Sequence, residues 1–137
     1  MPSAGPSDLR SIPLFASLSE AELAELAARF EVRDVGPGER LVVEGAPGFL
    51  FFVISTGEVA ITSLGEQIAS LGPGEFFGEM ALADRGAHGR HVATATTTTQ
   101  SRVLVLFSAD FERLQTDHPR VGARIEAEMR ERLEDLP

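Results

Sequence analysis

Between Glu31 and about Ser108 the chain breaks into short β-rich runs closed by glycine turns, and this punctuation constrains the fold more than any other feature. EVRDV runs into Gly36-Pro37-Gly38, RLVVE into Gly45-Ala46-Pro47-Gly48, and FLFFVIS into Gly57. EVAITS, Gly65, QIASL and Gly72-Pro73-Gly74 follow. Runs this short at this spacing predict an all-β sandwich or barrel. FLFFVIS is nearly all apolar, as a strand buried on both sides would be. HVATATTTT and RVLVLF complete the β part, since threonine and valine are stiff at χ1 and suit strands.

Helical signals flank this region. Ser19 and Glu22 have the spacing of a capping box, with Leu18 placed to staple onto Leu23. Leu23, Leu26, Ala27 and Phe30 then mark one apolar helix face. After Phe107 the helical period returns: Ser108 is an expected N-cap for ADFERLQTDH, with Asp110 favouring the helix dipole. Pro119 suits the first turn of a last helix whose stripe is Val121, Ile125, Met129, Leu133 and Leu136. Residues 1–8 read as a flexible tail and residues 9–137 as one domain.

Composition narrows the function. The chain has no cysteine, so disulfides, thiolate catalysis and Cys-ligated metals are excluded. A formal net charge of −9 with no Lys/Arg cluster argues against direct binding to nucleic acid. No apolar run is long enough to span a bilayer, and MPSAGPSD lacks the pattern of a signal peptide, so no membrane partner and a cytoplasmic location are expected. His88, His91 and His118 lack the spacing of a cupin-type metal site, and no nucleophile elbow, P-loop or His-Glu-x-x-His occurs. The expectation is a protein without metal or catalysis.

One stretch carries ligand chemistry: FFGEMALADRGAHGRHVATA, residues 76–95. Gly78 lets backbone approach a ligand closely, and the first N–H groups of a short helix attract an anion. Glu79, acceptor-only when ionised, suits a sugar hydroxyl. A basic residue on the following strand would pair a phosphate.

The order of elements, with PGERLVVEGAPG, FFVISTGEV and FFGEMAL, resembles the cyclic-nucleotide-binding domain of catabolite-activator-type regulators, cyclic-nucleotide-dependent kinases and gated channels. The likeness runs over about residues 9–136. It implies an eight-stranded antiparallel β-roll, jelly-roll-like, with one N-terminal helix, a short cassette helix and two C-terminal helices. It also implies that Gly78, Glu79 and Met80 belong to a cassette for cAMP or cGMP, completed by Arg90 or His91 as the basic residue, with Val92 as a further site residue. Counting back from RVLVL puts His91 in the family's arginine position and Val92 where a small residue is usual. Arg90, one residue early, would serve if the strand entry were irregular, because a one-residue slip turns a strand side chain to the other face. Ala46 and Phe49 stand where family members often carry acids.

Two functions follow as expectations. One is a non-catalytic regulatory or sensor module that signals through its C-terminal helices to an unknown effector protein. The other is a degenerate module that binds no nucleotide and serves as a protein-interaction or dimerisation scaffold. A homodimer seam would use Val121, Ile125, Met129 and Leu133, and base contacts would come from Met129, Arg130 or Arg132.

Overall fold

The structure, a computed structural model, describes residues 3–79 and 90–135. Two helices, α1 (Pro6–Arg10) and α2 (Glu20–Ala27), precede the strands, with a 3-10 turn at Pro13–Phe15 between them. The strands are β1 (Glu31–Val35), β2 (Arg40–Val42), β3 (Leu50–Thr56), β4 (Val59–Ser63), β5 (Glu66–Leu71), β6 (Phe76–Phe77), β7 (Thr94–Thr97) and β8 (Ser101–Phe107). Two helices close the chain, α3 (Ser108–Asp117) and α4 (Pro119–Asp135). The strands make two four-stranded sheets, ordered β1-β8-β3-β6 and β2-β7-β4-β5, with antiparallel pairing throughout. This is the all-β architecture that the glycine-punctuated runs predict, in the eight-stranded, helix-flanked form that the family resemblance implies.

The period of two in β3 and β8 divides the interior. Phe51 and Val53, with Leu104 and Leu106, face the helices and join Leu9, Phe15, Leu23, Phe30, Phe111 and Ile125. Phe52 and Ile54, with Val103 and Val105, face the second sheet and join Val42, Val59, Leu71, Phe77 and Ala95. FLFFVIS therefore is buried on both sides, and Phe51 through Ile54 are each at most 1% exposed. Aromatic contacts reinforce both sides: Phe51 lies 4.8 Å from Phe111, and Phe52 stacks on Phe77 at 4.8 Å.

Several local expectations need correction. Residues 3–8 are not a loose tail: Ser3 bridges Glu31, Ala4 N–H donates to Phe30 O at 3.0 Å, and α1 starts at Pro6. The Asp8 carboxylate, accepting from Gly5 N–H at 2.7 Å, holds the entry to that helix. The N-terminal part thus has two helices where one was expected. Ser108 is the first residue of α3 instead of its cap; Phe107 takes the cap position, and Ser108 N–H donates to Phe49 O at 3.0 Å. The two-residue strand β6 was not foreseen. By contrast the capping box of α2 is formed, with Glu22 N–H on Ser19 Oγ at 3.2 Å and Ser19 N–H on Glu22 Oε1 at 2.9 Å. The cassette helix lies outside the described residues except for Glu79.

The last helix packs on its own chain. Val121, Ile125 and Met129 are buried in the interior, and of the four residues expected in a dimer seam only Leu133 is exposed. Helical spacing specifies that these side chains share a face but not what covers it, and here the roll's helical side covers it.

The threonine-rich strand ties the turns together. Thr94 Oγ1 accepts from Glu44 N–H at 3.0 Å, Thr97 Oγ1 from Glu39 N–H at 2.9 Å, and Thr99 Oγ1 from Glu58 N–H at 3.0 Å. Thr97 also donates to Gly36 O at 2.7 Å. At the neighbouring turn, Gly57 has φ +100°, and a Cβ there would stand 2.1 Å from Ser101 Oγ and 2.7 Å from Ser101 Cα. Both the left-handed backbone and the close approach require glycine. Gly57→Ala should therefore lower stability by roughly 3 kcal/mol, combining backbone strain and overpacking. The check is a reduced urea midpoint with an unchanged denaturant slope.

Candidate functional site

The local path from β6 into the cassette builds the site. Phe76 and Phe77 pair with Val53 and Phe52 of β3, which fixes the backbone just before Gly78. Gly78 has φ +96°, and a Cβ at this position would lie 2.7 Å from Leu50 O. Only glycine lets the chain turn this tightly against β3. The turn delivers Glu79 into the interior, where it is 2% exposed.

Glu79 borders a cavity of about 90 Å3. Its apolar wall comes from Val42, Ile61, Ile68, Ala69, Leu71, Phe77 and Ala95; its polar edge comes from Glu79, His91, Thr94, Arg132 and Asp135. Gly78, Val92 and Ala93 complete the lining. Such a lining, mostly apolar with a few polar groups at one end, is the usual make-up of a small-ligand site.

The carboxylate is held from the last helix. Arg132 Nη1 donates to Glu79 Oε1 at 2.6 Å, and Arg132 Nη2 donates to Phe76 O at 2.5 Å. The guanidinium carbon sits 4.9 Å from the centre of the Phe76 ring, a cation–π arrangement. Burial pushes the Glu79 carboxyl up from its ordinary value, and the Arg132 charge opposes that shift. Its second oxygen, Oε2, is buried and accepts no hydrogen bond among the described residues. A buried acceptor in that state costs free energy until a donor arrives.

The structure separates the two basic candidates. His91 lines the cavity; Arg90 is exposed, does not line it, and donates through Nη1 to Gly45 O at 2.7 Å. The strand entry is irregular: Arg90 makes an isolated bridge to Pro47, a bend follows, and β7 starts at Thr94. His91 is held by its backbone, with N–H on Ala46 O at 2.9 Å and its carbonyl accepting from Gly45 N–H at 2.8 Å. Burial lowers the His91 pKa, which favours the neutral imidazole. Val92 also lines the cavity, and its carbonyl accepts from Ser63 Oγ at 3.2 Å. Gly78, Glu79, His91 and Val92 thus meet at one cavity, Arg90 stays outside it, and Met80 lies outside the described residues.

Of the three helix residues considered for base contacts, Arg132 lines the cavity, Arg130 points out to pair with Glu126 at 3.0 Å, and Met129 is buried in the core. The bond from Arg132 to Glu79 was not foreseen. Its signal was the charge at i+7 from Ile125 and i+3 from Met129, on the buried side of an otherwise apolar stripe.

Residues 32–118 match the sequence profile of the cyclic nucleotide-binding domain. The chain belongs to that family. It is 31% identical over 106 residues to the cAMP-dependent protein kinase regulatory subunit of Hypocrea atroviridis, a match covering 77% of this chain and 22% of that protein. It is 35% identical over 112 residues to a cyclic nucleotide-gated potassium channel of Mesorhizobium japonicum, covering 82% of this chain and 30% of the channel. The crystal structure of the Thermus thermophilus catabolite activator protein superposes with a TM-score of 0.76 at 31% identity, over 90% of this chain and 59% of that one. The chain spans less than a third of the two sequence relatives, so the likeness concerns the binding domain. Among the described residues no helix is long and apolar enough to cross a membrane.

The lowered pKa of His91 has a measurable consequence. The fold favours the neutral ring, so this contribution to stability is present above the ordinary histidine value of about 6.5 and is lost as pH falls through the depressed value. NMR titration of the His91 ring should give a midpoint below about 6.5, and His91→Gln should flatten the acid limb of the stability curve.

Proposed function

We propose that this chain is a non-catalytic cyclic-nucleotide sensor module. In this reading the nucleotide base rests against the apolar wall of Ile61, Ala69, Leu71 and Val92, and the ribose hydroxyl donates to Glu79. The observation that carries the reading is the buried Oε2 of Glu79, which among the described residues has no donor and lies at the edge of a cavity lined for a small ligand. The Gly-Glu turn that presents it lies in a domain of the cyclic nucleotide-binding family. The relatives' names, a cAMP-dependent kinase regulatory subunit and a cyclic nucleotide-gated channel, support cAMP or cGMP as the ligand class. Output passes to another protein through α4, which borders the cavity.

His91 faces the phosphate in this arrangement. A neutral imidazole offers one donor and no charge, so phosphate binding would be linked to proton uptake by His91. Affinity should then rise as pH falls through the histidine range, His91→Ala should abolish that dependence, and Arg90→Ala should change affinity little.

A specific observation favours the scaffold alternative. Among the described residues, Arg132 is the sole guanidinium lining the cavity, and it is bound to Glu79. A module without a cation for the phosphate would bind nucleotide too weakly for signalling and would act through protein contacts. Calorimetric titration of nucleotide-stripped protein with cAMP and cGMP decides between the two. Under the sensor reading, at least one binds in the micromolar range or tighter, and Glu79→Ala weakens it by about 10- to 100-fold, as loss of a hydrogen bond to a charged acceptor would. No heat up to millimolar ligand, with intact circular dichroism, would establish the scaffold reading instead.

A further inference from the structure

The polar end of the cavity has an unfavourable charge for an anion. Among the described residues its ionisable lining is Glu79, His91, Arg132 and Asp135. Two carboxylates therefore stand against one guanidinium and an imidazole that burial holds toward its neutral form. The guanidinium is already engaged at the floor of the cavity, donating to Glu79 Oε1 at 2.6 Å and to Phe76 O at 2.5 Å. Recruiting it for a phosphate would leave the Glu79 carboxylate, 2% exposed, without its counter-charge, which is strongly unfavourable for a buried ion. Arg90 is no substitute: it is exposed, donates to Gly45 O and does not line the cavity.

What this end lacks is hydrogen-bond donors. Glu79 Oε2 is buried and accepts no bond among the described residues, and a neutral imidazole has one nitrogen that can only accept. The ribose of a nucleoside keeps its 2′, 3′ and 5′ hydroxyls, each able to donate and to accept. Closing the cyclic phosphate ties up the 3′ and 5′ oxygens and puts a fixed negative charge where two donors stood. The base, and a hydroxyl for Glu79, are common to both molecules. The preference between them is therefore decided at the phosphate end, where the charge must lose its hydration without meeting a free permanent cation.

We propose that the cavity takes an uncharged nucleoside at least as well as the corresponding cyclic nucleotide, and that His91 is the residue that sets this preference. This rests on the nucleotide reading for the base and the sugar and departs from it in the charge of the ligand. Across the cavity His91 meets Glu79 from the turn after β6 and Arg132 and Asp135 from α4, and its chain neighbour Arg90 is turned to Gly45 O. In its neutral form His91 serves a nucleoside hydroxyl; protonated, it becomes the cation that a cyclic phosphate requires. Discrimination between the two ligands thus depends on pH.

The test is calorimetric titration of the nucleotide-stripped protein with adenosine, guanosine, cAMP and cGMP at about pH 8 and about pH 5.5, on either side of the ordinary histidine value. At the higher pH a nucleoside should bind at least as tightly as its own cyclic monophosphate. At the lower pH the cyclic nucleotide should gain on the nucleoside by at least about threefold, as partial uptake of one proton allows. His91→Arg, with circular dichroism unchanged, should reverse the order at the higher pH by strengthening cyclic-nucleotide binding about 10- to 100-fold, the range of a charged hydrogen bond. Glu79→Ala should weaken both ligands alike, because both use that acceptor. A cyclic nucleotide that binds wild-type protein more tightly than its nucleoside at the higher pH would overturn the proposal and leave the nucleotide reading standing. A nucleoside that stays ahead in His91→Arg, or a loss in Glu79→Ala confined to one of the two ligands, would also overturn it. No heat with any of the four up to millimolar concentration, with the fold intact, would overturn the proposal and the nucleotide reading together.

Discussion

The structure depends on β3 having two faces to bury. A strand whose alternate side chains enter different interiors cannot slip by one residue without exchanging both sets at once, so its register is firmly held. Phe51 and Val53 secure the helices; Phe52 and Ile54 secure the second sheet. The short strand β6 is paired to this same element, and the Gly78 turn that leaves β6 inherits its precision. Glu79 can be buried because its backbone is fixed on one side by β3 and its charge is met on the other by α4. A carboxylate on a loose loop would retreat to water.

The site is asymmetric in its chemistry. One end is apolar. The other contains a neutral-leaning histidine, a carboxylate with one oxygen that accepts no hydrogen bond among the described residues, and an arginine committed to that carboxylate. The arginine's fork spans a side chain and a backbone carbonyl, which a point charge could not do. The contact therefore fixes the direction of the last helix as well as its distance from the floor.

Much of this was legible in the residues, and the reasons differ by element. The β architecture was readable because glycine turns and apolar runs are local signals, and FLFFVIS announced a strand covered on both faces; its form as an eight-stranded roll came from the family resemblance. Gly78 and Glu79 were readable because a tight turn before a helix has a chemical purpose. Which of Arg90 and His91 borders the cavity was not, since alternation does not carry through a bend, and the chain bends between Arg90 and β7. The order in residues 3–8 escaped notice because it rests on backbone pairing to Glu31 and Phe30, which composition does not report. The stripe on α4 gave a face but not its partner. Arg132 on that face was the visible irregularity, and its meaning required the position of a residue 53 places earlier.

The threonines of β7 and the turn after it show how chemistry can hide inside a pattern. By shape and strand preference, valine would serve equally well at Thr94 and Thr97. Yet their hydroxyls receive the N–H groups of Glu44 and Glu39, and the Glu44 carboxylate in turn accepts from Leu64 N–H. A valine in either place would look harmless to any reading based on hydropathy or volume while stranding a turn amide. The turns beside β7 are held by oxygen atoms that a hydrophobic pattern treats as methyl groups, so a valine at Thr94, which borders the cavity, would keep the strand's shape and take the acceptor from the Glu44 amide.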